Sequence, residues 1–405
     1  MVQTVTESAA PYDALLLCSF GGPNAPDDVV PFLQNVTRGK NIPEERLKEV
    51  GEHYYGFGGR SPINEQNLAL LAALRAELDR RGIPLPVIWG NRNWHPYTVD
   101  ALRDASAFGA RRVLVLVTSA YASYSGSRQY REHLAAARAE LAAEADEREA
   151  FGASVAAAAA PGGTKRGGSA PEIDVLRPFF NDPGFVGANT EAILEAAAKL
   201  GDGYGSPGIA AAGGLDGAHI VYVTHSIPDT MQEASAATGP GYREQHEDVR
   251  ATIDAALVER TGAGFASSLA YCSRSGDPRV PWLEPDVNDH LEALAAQGVR
   301  KVVIAPIGFV SDHMEVAFDL DVEAMRTAAE HGIAAVRAGT VGTNGAFVAG
   351  IVDMVLERAA RERGEDPAPP TAGALGAFPD VAPPGSCRMR HGEITGIPVI
   401  AGDRD

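Results

Sequence analysis

Short apolar runs alternate with longer amphipathic stretches along the whole chain. The apolar runs are rich in β-prone residues and predict buried strands at 14–18, 87–89, 113–117, 220–223, 268–272, 302–305 and 334–338. The stretches between them are rich in alanine and leucine and predict helices, for example at 67–78, 191–200 and 289–296. Regular alternation of strand and helix indicates an α/β fold built on parallel sheets.

The predicted strands fall into two clusters, one before about residue 120 and one after about residue 220. The simplest architecture is therefore two doubly wound domains with a cleft between them. We expect an N-terminal domain over 13–172, a C-terminal domain over 173–342, and a C-terminal helix over 343–363 that packs back. Residues 145–172 are of low complexity and predict a flexible surface insertion. The Pro-, Gly- and Ala-rich tail over 364–405 is expected to be poorly ordered or laid against the surface.

Composition and charge narrow the class of protein. With 405 residues, 45% hydrophobic and 22% charged, the chain has the composition of a soluble globular protein. Its net charge of −18 argues against nucleic-acid or anionic-membrane binding as the main activity. No apolar run approaches the ~20 residues of a membrane span, and the N-terminus lacks the pattern of a signal peptide. We therefore predict a cytoplasmic monomer without stable membrane insertion.

The cysteines do not predict a disulfide framework. Cys18, Cys272 and Cys387 are far apart in the sequence, and none belongs to a CxxC pair. Cys18 lies inside a predicted strand and is expected to be a small core residue.

A histidine follows one of the buried strands directly. The run 220–223 ends in Thr224, His225 and Ser226, and Pro228 follows. In open α/β sheets, ligands bind in the crevice at the carboxyl ends of the strands. His225 is therefore placed to be a ligand or a base, although a single histidine at a turn is more often a structural residue.

A second strand, 302–305, leads into a helix that carries a row of acids. Glu315, Asp319 and Glu323 are spaced by four residues, so on an α-helix they share one face with about 40° between neighbours. A solvated acidic face would have the same pattern. This row, however, begins at a strand end next to His313, where carboxylates could pass a hydrated divalent cation inward.

Loops in the N-terminal half combine cations with aromatic side chains. Arg38, Lys40 and Arg60 lie near Tyr54, Tyr55 and Phe57 in glycine-containing segments. Arg128, Tyr130 and Arg131 follow the strand 113–117, and Arg274, Arg279 and Trp282 follow the strand 268–272. Aromatic faces with guanidinium groups suit a large, flat, anionic ligand, although structural aromatics in a polar loop would have the same composition. The segment SFGGPNAPDDV lacks the glycine spacing of a dinucleotide-binding turn.

Taken in order, seven motifs resemble the ferrochelatase family. They are LLLCSFGGP, VTRGK, HYYGFGGRSPIN, TSAYASYSGSRQY, VTHSIP, SRSGDPRVPWLEPDV and GFVSDHMEVAFDLD. The similarity is greatest to the bacterial branch that inserts iron into coproporphyrin III. It runs from about Asp13 to Arg361 and is interrupted by the predicted insertion. The resemblance implies two Rossmann-like domains of four parallel strands each, with the porphyrin bound in the cleft between them.

The resemblance also implies roles for individual residues. His225 is the family's active-site histidine and Glu315 its carboxylate partner, and both could bind metal. Asp319 and Glu323 resemble the acidic row that leads metal to the site. The positions expected to bind substrate are Phe20, Arg38, Ser61, Tyr130 and Trp282. Phe20 stands where some bacterial members have a tyrosine, so no phenolate ligand is expected from that side.

No resident cofactor is expected. Some members of the family hold a [2Fe–2S] cluster with one internal cysteine and three near the C-terminus. Here no cysteine lies between Cys18 and Cys272, and the tail has only Cys387. Because such a cluster normally needs four thiolates, we predict that none is bound.

The implied reaction exchanges two pyrrole protons for Fe2+, which is a substrate. A neutral His225 is the best proton acceptor, because an unperturbed histidine has a pKa of about 6.5. Alternatives of the same kind are a protoporphyrin IX ferrochelatase, or a chelatase for another ring or metal. The alternatives from other classes are a non-catalytic porphyrin or haem carrier, which needs the cleft but not His225 with Glu315, and a solute receptor.

Overall fold

Two four-stranded parallel sheets organise the protein. The structure is a computed structural model, which describes residues 7–39, 42–156, 169–201, 212–275 and 277–402. The first sheet has the order β2-β1-β3-β4 and the second the order β6-β5-β7-β8. The strands are β1 (Ala14–Ser19), β2 (Val87–Asn91), β3 (Arg112–Val117), β4 (Glu172–Val175), β5 (His219–His225), β6 (Ala266–Cys272), β7 (Lys301–Ala305) and β8 (Ala334–Arg337). Every neighbouring pair is parallel, so the carboxyl ends of all strands in a sheet meet at one edge.

Helices connect the strands and cover both faces of each sheet. In the N-terminal half they are α1 (Val29–Val36), α2 (Glu44–Tyr55), α3 (Ile63–Arg80), α4 (Thr98–Ala107) and α5 (Gln129–Ala156). In the C-terminal half they are α6 (Pro183–Ala197), α7 (Asp229–Ser235), α8 (Tyr242–Thr261), α9 (Val287–Ala296), α10 (Met314–Val316), α11 (Met325–Glu330) and α12 (Gly345–Glu362). Two π-helical segments, Tyr124–Arg128 and Ala317–Ala324, precede α5 and join α10 to α11.

The central strands are apolar because they are covered on both faces. Leu15, Leu16 and Leu17 of β1 are fully buried, and so are Val221 and Val223 of β5. Continuous burial of this kind produces the unbroken apolar runs in the sequence, which predicted seven of the strands to within two residues at each end. The predicted fold class, two Rossmann-like domains with four parallel strands each, is confirmed.

Strand β4 was not predicted, and the predicted insertion was partly wrong. The four residues of β4, Glu172–Val175, pair with β3. Asp174 on this strand accepts a hydrogen bond from Arg112 and forms an ion pair with it. The strand can hold this charged residue because it lies at the edge of the sheet. The N-terminal sheet therefore extends to Val175, beyond the boundary predicted at residue 172. At its other end the predicted insertion 145–172 overlaps α5, which continues as regular helix to Ala156; residues 157–168 lie outside the described part.

Helix α12 packs against both halves of the protein, through α6 and α3. Its polar anchor is a buried ion pair, in which Arg177 Nε lies 3.0 Å from Glu357 Oε1. Removal of either partner would leave an uncompensated buried charge. The pair therefore holds α12 against the segment that follows β4.

The C-terminal tail lies against the protein through residue 402. Asn181 donates to the Gly376 carbonyl at 2.6 Å, and Arg361 pairs with Asp380 at 2.7 Å. Phe378 packs edge-on against Phe180 with ring centres 5.1 Å apart. The tail was expected to be either poorly ordered or laid against the surface. The structure has it laid against the surface, where these contacts hold a segment that has no helix or strand. In the described part of the chain, no helix has the length and apolar character to cross a bilayer.

Candidate active site

His225 is the last residue of β5, at the carboxyl edge of the second sheet. Its Nδ1 lies 2.5 Å from the Ser226 carbonyl oxygen. A carbonyl can only accept, so Nδ1 carries the hydrogen and Nε2 is left with a free lone pair. The backbone of His225 is held as well, because the Tyr242 hydroxyl donates to its carbonyl at 3.1 Å and contacts Thr224 Oγ1 at 2.7 Å. Both the ring and the backbone of His225 are therefore held in place.

Glu315 faces the free nitrogen of His225. Glu315 lies in α10, after the loop that follows β7, and its Oε2 is 3.5 Å from His225 Nε2. Burial alone lowers the pKa of His225. The hydrogen bond and charge of Glu315, the Ser226 carbonyl and the charge of Asp319 outweigh that effect, so the pKa is raised above its ordinary value. The pair can accept a proton on Nε2 and stabilise the imidazolium that results.

The acidic row continues from Glu315 along a π-helix. Asp319 and Glu323 lie in Ala317–Ala324, whose wider turn replaces the α-helix assumed from the spacing. Burial raises the pKa of Asp319 to about 6, and the charges of Glu315 and Glu323 add to the rise, although the Ser273 hydroxyl that donates to Asp319 opposes it. The charges of Glu315 and Glu323 both act on Asp319, which stands between them along the helix. Among the residues that the structure describes, no three His, Cys, Asp or Glu side chains form a closed metal site, so the row is an open line of carboxylates.

Ser273 was not singled out from the sequence. It follows β6 and has a left-handed backbone, with φ of 61°. Few residues with a side chain adopt this conformation, and it often occurs at functional sites. The turn directs the Ser273 hydroxyl at Asp319 and fixes one of its carboxylate oxygens.

An apolar wall from the N-terminal domain lies opposite these acids. Phe32 and Tyr54, from α1 and α2, cluster with Met314 and Ala317 from the helix that carries Glu315. Phe20, which directly follows β1, packs against this cluster with its ring centre 6.3 Å from that of Phe32. The carboxyl ends of the two sheets therefore converge here, and aromatic surface from one domain meets the titratable groups of the other.

Arg92 is the functional candidate that sequence reasoning missed. It follows β2 in the segment GNRNW, and its guanidinium carbon lies 5.1 Å from the Phe20 ring centre and 4.8 Å from that of Tyr130. Its buried Nη1 finds no hydrogen-bond partner within the described residues. A guanidinium held between two rings with an unused donor is suited to bind a carboxylate. The single available clue was a cation directly after a predicted strand.

The other predicted substrate residues occupy different environments. Arg38 is exposed just after α1, and Lys40 lies outside the described residues. Ser61 and Tyr130 are buried, at 7% and 4% exposure, so neither presents an open surface in this conformation. Trp282 is half-buried and bridges to Pro228 beside the His225 loop, where its indole nitrogen has no partner among the residues described. The structure thus brings Phe20, Tyr130 and Arg92 together, whereas Arg38 stands apart.

Two of the cations expected to bind an anionic ligand in the cleft are engaged elsewhere. Arg128 is 3% exposed, pairs with Glu132 at 2.9 Å and donates to the Ser386 carbonyl in the tail. Arg131 is 6% exposed and donates to the Ala401 carbonyl. This part of the expectation was wrong, because the π-helical turn before α5 points both guanidinium groups at the tail. Arg60 is exposed, with Glu65 at 3.8 Å.

The cysteines do not fit a four-thiolate cluster. Cys18 lies in the core around the first sheet and Cys272 in the core of the second, whereas Cys387 belongs to the tail and is buried at the cavity under it. Three thiols that are buried in separate places cannot converge on one cluster. That the chain works without an iron–sulfur cluster stays a prediction.

The chain is similar to known proteins over most of its length. The family model described as Ferrochelatase matches residues 12–359. A protein of Streptomyces coelicolor named coproporphyrin III ferrochelatase is 51% identical over 387 residues, covering 94% of this chain and 95% of its own. A protein of Streptomyces griseus with the same name is 50% identical and covers 94% of each chain. A Rhodopirellula baltica protein named ferrochelatase is 42% identical and covers 93% of each. This chain therefore belongs to the ferrochelatase family.

Proposed function

We propose that this chain inserts Fe2+ into coproporphyrin III, giving iron coproporphyrin in haem biosynthesis. The observation that carries the proposal is the His225–Glu315 pair, with a free Nε2 directed at a carboxylate opposite an aromatic wall. A base with this geometry suits the removal of pyrrole protons, and membership of the family supports the reaction class. The names of the Streptomyces relatives support the choice of ring.

The proton chemistry falls to His225. The neutral imidazole accepts a pyrrole proton on Nε2, while the Ser226 carbonyl holds the opposite ring nitrogen in place. Glu315, at 3.5 Å, stabilises the imidazolium, and its position at the mouth of the site allows it to bind the incoming metal as well. Glu323 and Asp319 are the proposed path for hydrated Fe2+, since carboxylate oxygens exchange readily with its water ligands.

The macrocycle is bound by the aromatic wall of the N-terminal domain, by Trp282 and by two cations at the edge of the site, Arg92 and Arg38. Aromatic surface at Phe20 and Trp282 suits the ring faces, and Arg92 and Arg38 suit the propionates. Ser61 and Tyr130, which are buried in this conformation, are proposed to contact the macrocycle once it is bound. Binding energy from the ring's periphery can hold the ring bent, so that its nitrogen lone pairs turn toward the metal. Phe20 offers no oxygen to the iron from its side.

The choice of ring is tested by offering both porphyrins. Anaerobic Fe2+ insertion, followed by absorbance, should give a higher kcat/KM with coproporphyrin III than with protoporphyrin IX. Coproporphyrin carries four propionates and protoporphyrin two, so the cations at the rim have more partners. Equal or reversed preference would keep the chelatase and reject coproporphyrin III as its substrate.

Arg92→Leu is expected to raise KM for coproporphyrin III by about 10- to 100-fold, since a hydrogen bond to a charged group contributes about 1.5 to 3 kcal/mol. The change in KM for Fe2+ should be much smaller. Arg260→Leu, which alters an exposed arginine at the end of α8, is the matched control and should leave both values unchanged. An unchanged porphyrin KM in Arg92→Leu would show that Arg92 does not hold a propionate.

We further propose that the chain acts as a monomer in the cytoplasm, with no nucleic-acid partner and no resident cofactor. The net charge of −18 supports a role away from nucleic acid and anionic membranes. Light scattering on the purified protein tests the monomer, for which a mass of 42.4 kDa is expected.

A further inference from the structure

A small, partly open cavity lies beneath the C-terminal tail, apart from the His225 site. Its volume is about 60 Å³, and its walls come from the loops after β3 and β4, from the turn before α5 and from the tail. Neither His225 nor Glu315 lines it. Because a single water needs roughly 10 to 15 Å³ on this measure, the cavity has room for a small polyatomic ion, but not for a nucleotide or a porphyrin.

Three charged side chains line the cavity, and two of them are neutralised. Arg177 makes two hydrogen bonds to Glu357, at 3.0 and 3.3 Å. Asp380 accepts from Arg361 at 2.7 Å. Each of these pairs is neutral, so their charges cancel within the wall. The third charged residue is Arg131.

Arg131 is a buried cation without a carboxylate partner. Its side chain is 6% exposed, and its one hydrogen bond in the described residues runs from Nη1 to the Ala401 carbonyl at 3.3 Å. No Asp or Glu oxygen of the described residues lies within 4.0 Å of its guanidinium. The neighbouring acid, Glu132, is taken by Arg128 at 2.9 Å. Among the residues that the structure describes, Arg131 is therefore the one charged residue of the wall without a carboxylate within 4.0 Å.

An unbalanced buried charge is costly, so a counterion is expected where space adjoins it. We propose that this cavity binds a small oxyanion, with inorganic phosphate as the probe, held by the Arg131 guanidinium. Ser119 and Ser386 also line the cavity, and the Ser119 hydroxyl can donate to the same ion. The Ser386 hydroxyl donates to Cys387 Sγ at 3.6 Å, a weak bond that it can exchange for one to the anion by rotating. The Ser127 hydroxyl cannot do so in this conformation, because it donates to the Ser123 carbonyl.

The bound anion would fasten the tail to the N-terminal domain. Arg131 belongs to α5, and its carbonyl accepts from Ile400 while its guanidinium donates to Ala401. Ser386 and Cys387 close the cavity from the tail. Neutralising Arg131 at this junction stabilises the packed form of the tail without any contact to the active site.

The test is equilibrium dialysis of the full chain against labelled inorganic phosphate, without iron or porphyrin. We expect one saturable site per chain. Arg131→Gln should abolish it, Ser119→Ala and Ser386→Ala should each weaken it several-fold, and the exposed control Arg260→Gln should leave it intact. Phosphate in place of chloride at equal ionic strength should also raise the thermal midpoint of the natural chain by about 2 to 4 °C, but not that of Arg131→Gln.

Several results would overturn the proposal. One is the absence of saturable phosphate binding to the natural chain, and another is binding that persists in Arg131→Gln. Binding that emerges only in Cys387→Ser would mean that the Cys387 thiolate neutralises Arg131. Binding that emerges only in a variant with both Asp403→Asn and Asp405→Asn would assign that role to the chain's own carboxylates. If Arg131→Gln does not fold, the two serine variants decide the outcome.

Discussion

Replacing His225 by alanine is expected to lower kcat for iron insertion by roughly 10²- to 10⁴-fold, the contribution of a positioned general base. Porphyrin binding should survive, because the proposed grip on the ring lies with Phe20, Trp282 and the cations at the rim. The fold should survive as well, since the His225 side chain is 34% exposed and its loss leaves no sealed cavity. The measurements are anaerobic turnover and fluorescence titration with coproporphyrin III.

His331→Ala is the matched control for this prediction. His331 is an exposed histidine after α11 that lies near a carboxylate, with its Nε2 3.7 Å from Glu292. It precedes β8 and so stands at the amino edge of the sheet, whereas His225 stands at the carboxyl edge. Its replacement should leave both turnover and binding unchanged. If His225→Ala keeps its activity to within a few-fold of the natural chain, His225 is not the proton acceptor.

Glu315→Gln should lower the maximal rate by about 10- to 100-fold and change the pH dependence in a defined direction. Neutral His225 is the active form, so kcat/KM falls as pH drops through the raised pKa of His225. In the variant, burial still lowers that pKa, whereas the main influence that raises it is gone. The acid limb of kcat/KM should therefore move to lower pH.

Glu292→Gln is the control, because it removes the carboxylate beside His331 and leaves the active site intact. Its rate and its pH profile should match those of the natural chain. An acid limb that stays in place in Glu315→Gln would mean that His225 does not titrate in that limb. A shift to higher pH would contradict the assigned coupling between the two residues.

Most of the fold could be predicted from the sequence because its strands are buried on both faces. Val221 and Val223 have no exposed surface, so the run 220–223 is apolar without a break and stands out against helices with mixed composition. Strand β4 could not be found in the same way. Only four residues long, it lies at a sheet edge, where Asp174 is stabilised by Arg112 and Arg358 rather than by apolar packing.

The proposed catalytic pair could be predicted because His225 ends a buried strand and Glu315 lies in the first helix after another, where the sequence changes from apolar to polar. Arg92 was missed because its role depends on contacts between residues that are far apart in sequence, namely Phe20 and Tyr130. Arg128 and Arg131 were assigned wrongly for the opposite reason. Their position after β3 was correct, but the direction of the two side chains is set by a π-helical turn that spacing alone does not reveal.

The central claim is that this chain catalyses metal insertion at His225 rather than merely holding a porphyrin. The most direct measurement is anaerobic mixing of the natural chain with Fe2+ and coproporphyrin III, followed by absorbance, with His225→Ala in parallel. The proposal predicts repeated turnover to iron coproporphyrin by the natural chain, and tight binding with almost no insertion by the variant. Binding of the ring by both proteins with no insertion by either would contradict the claim and identify a carrier.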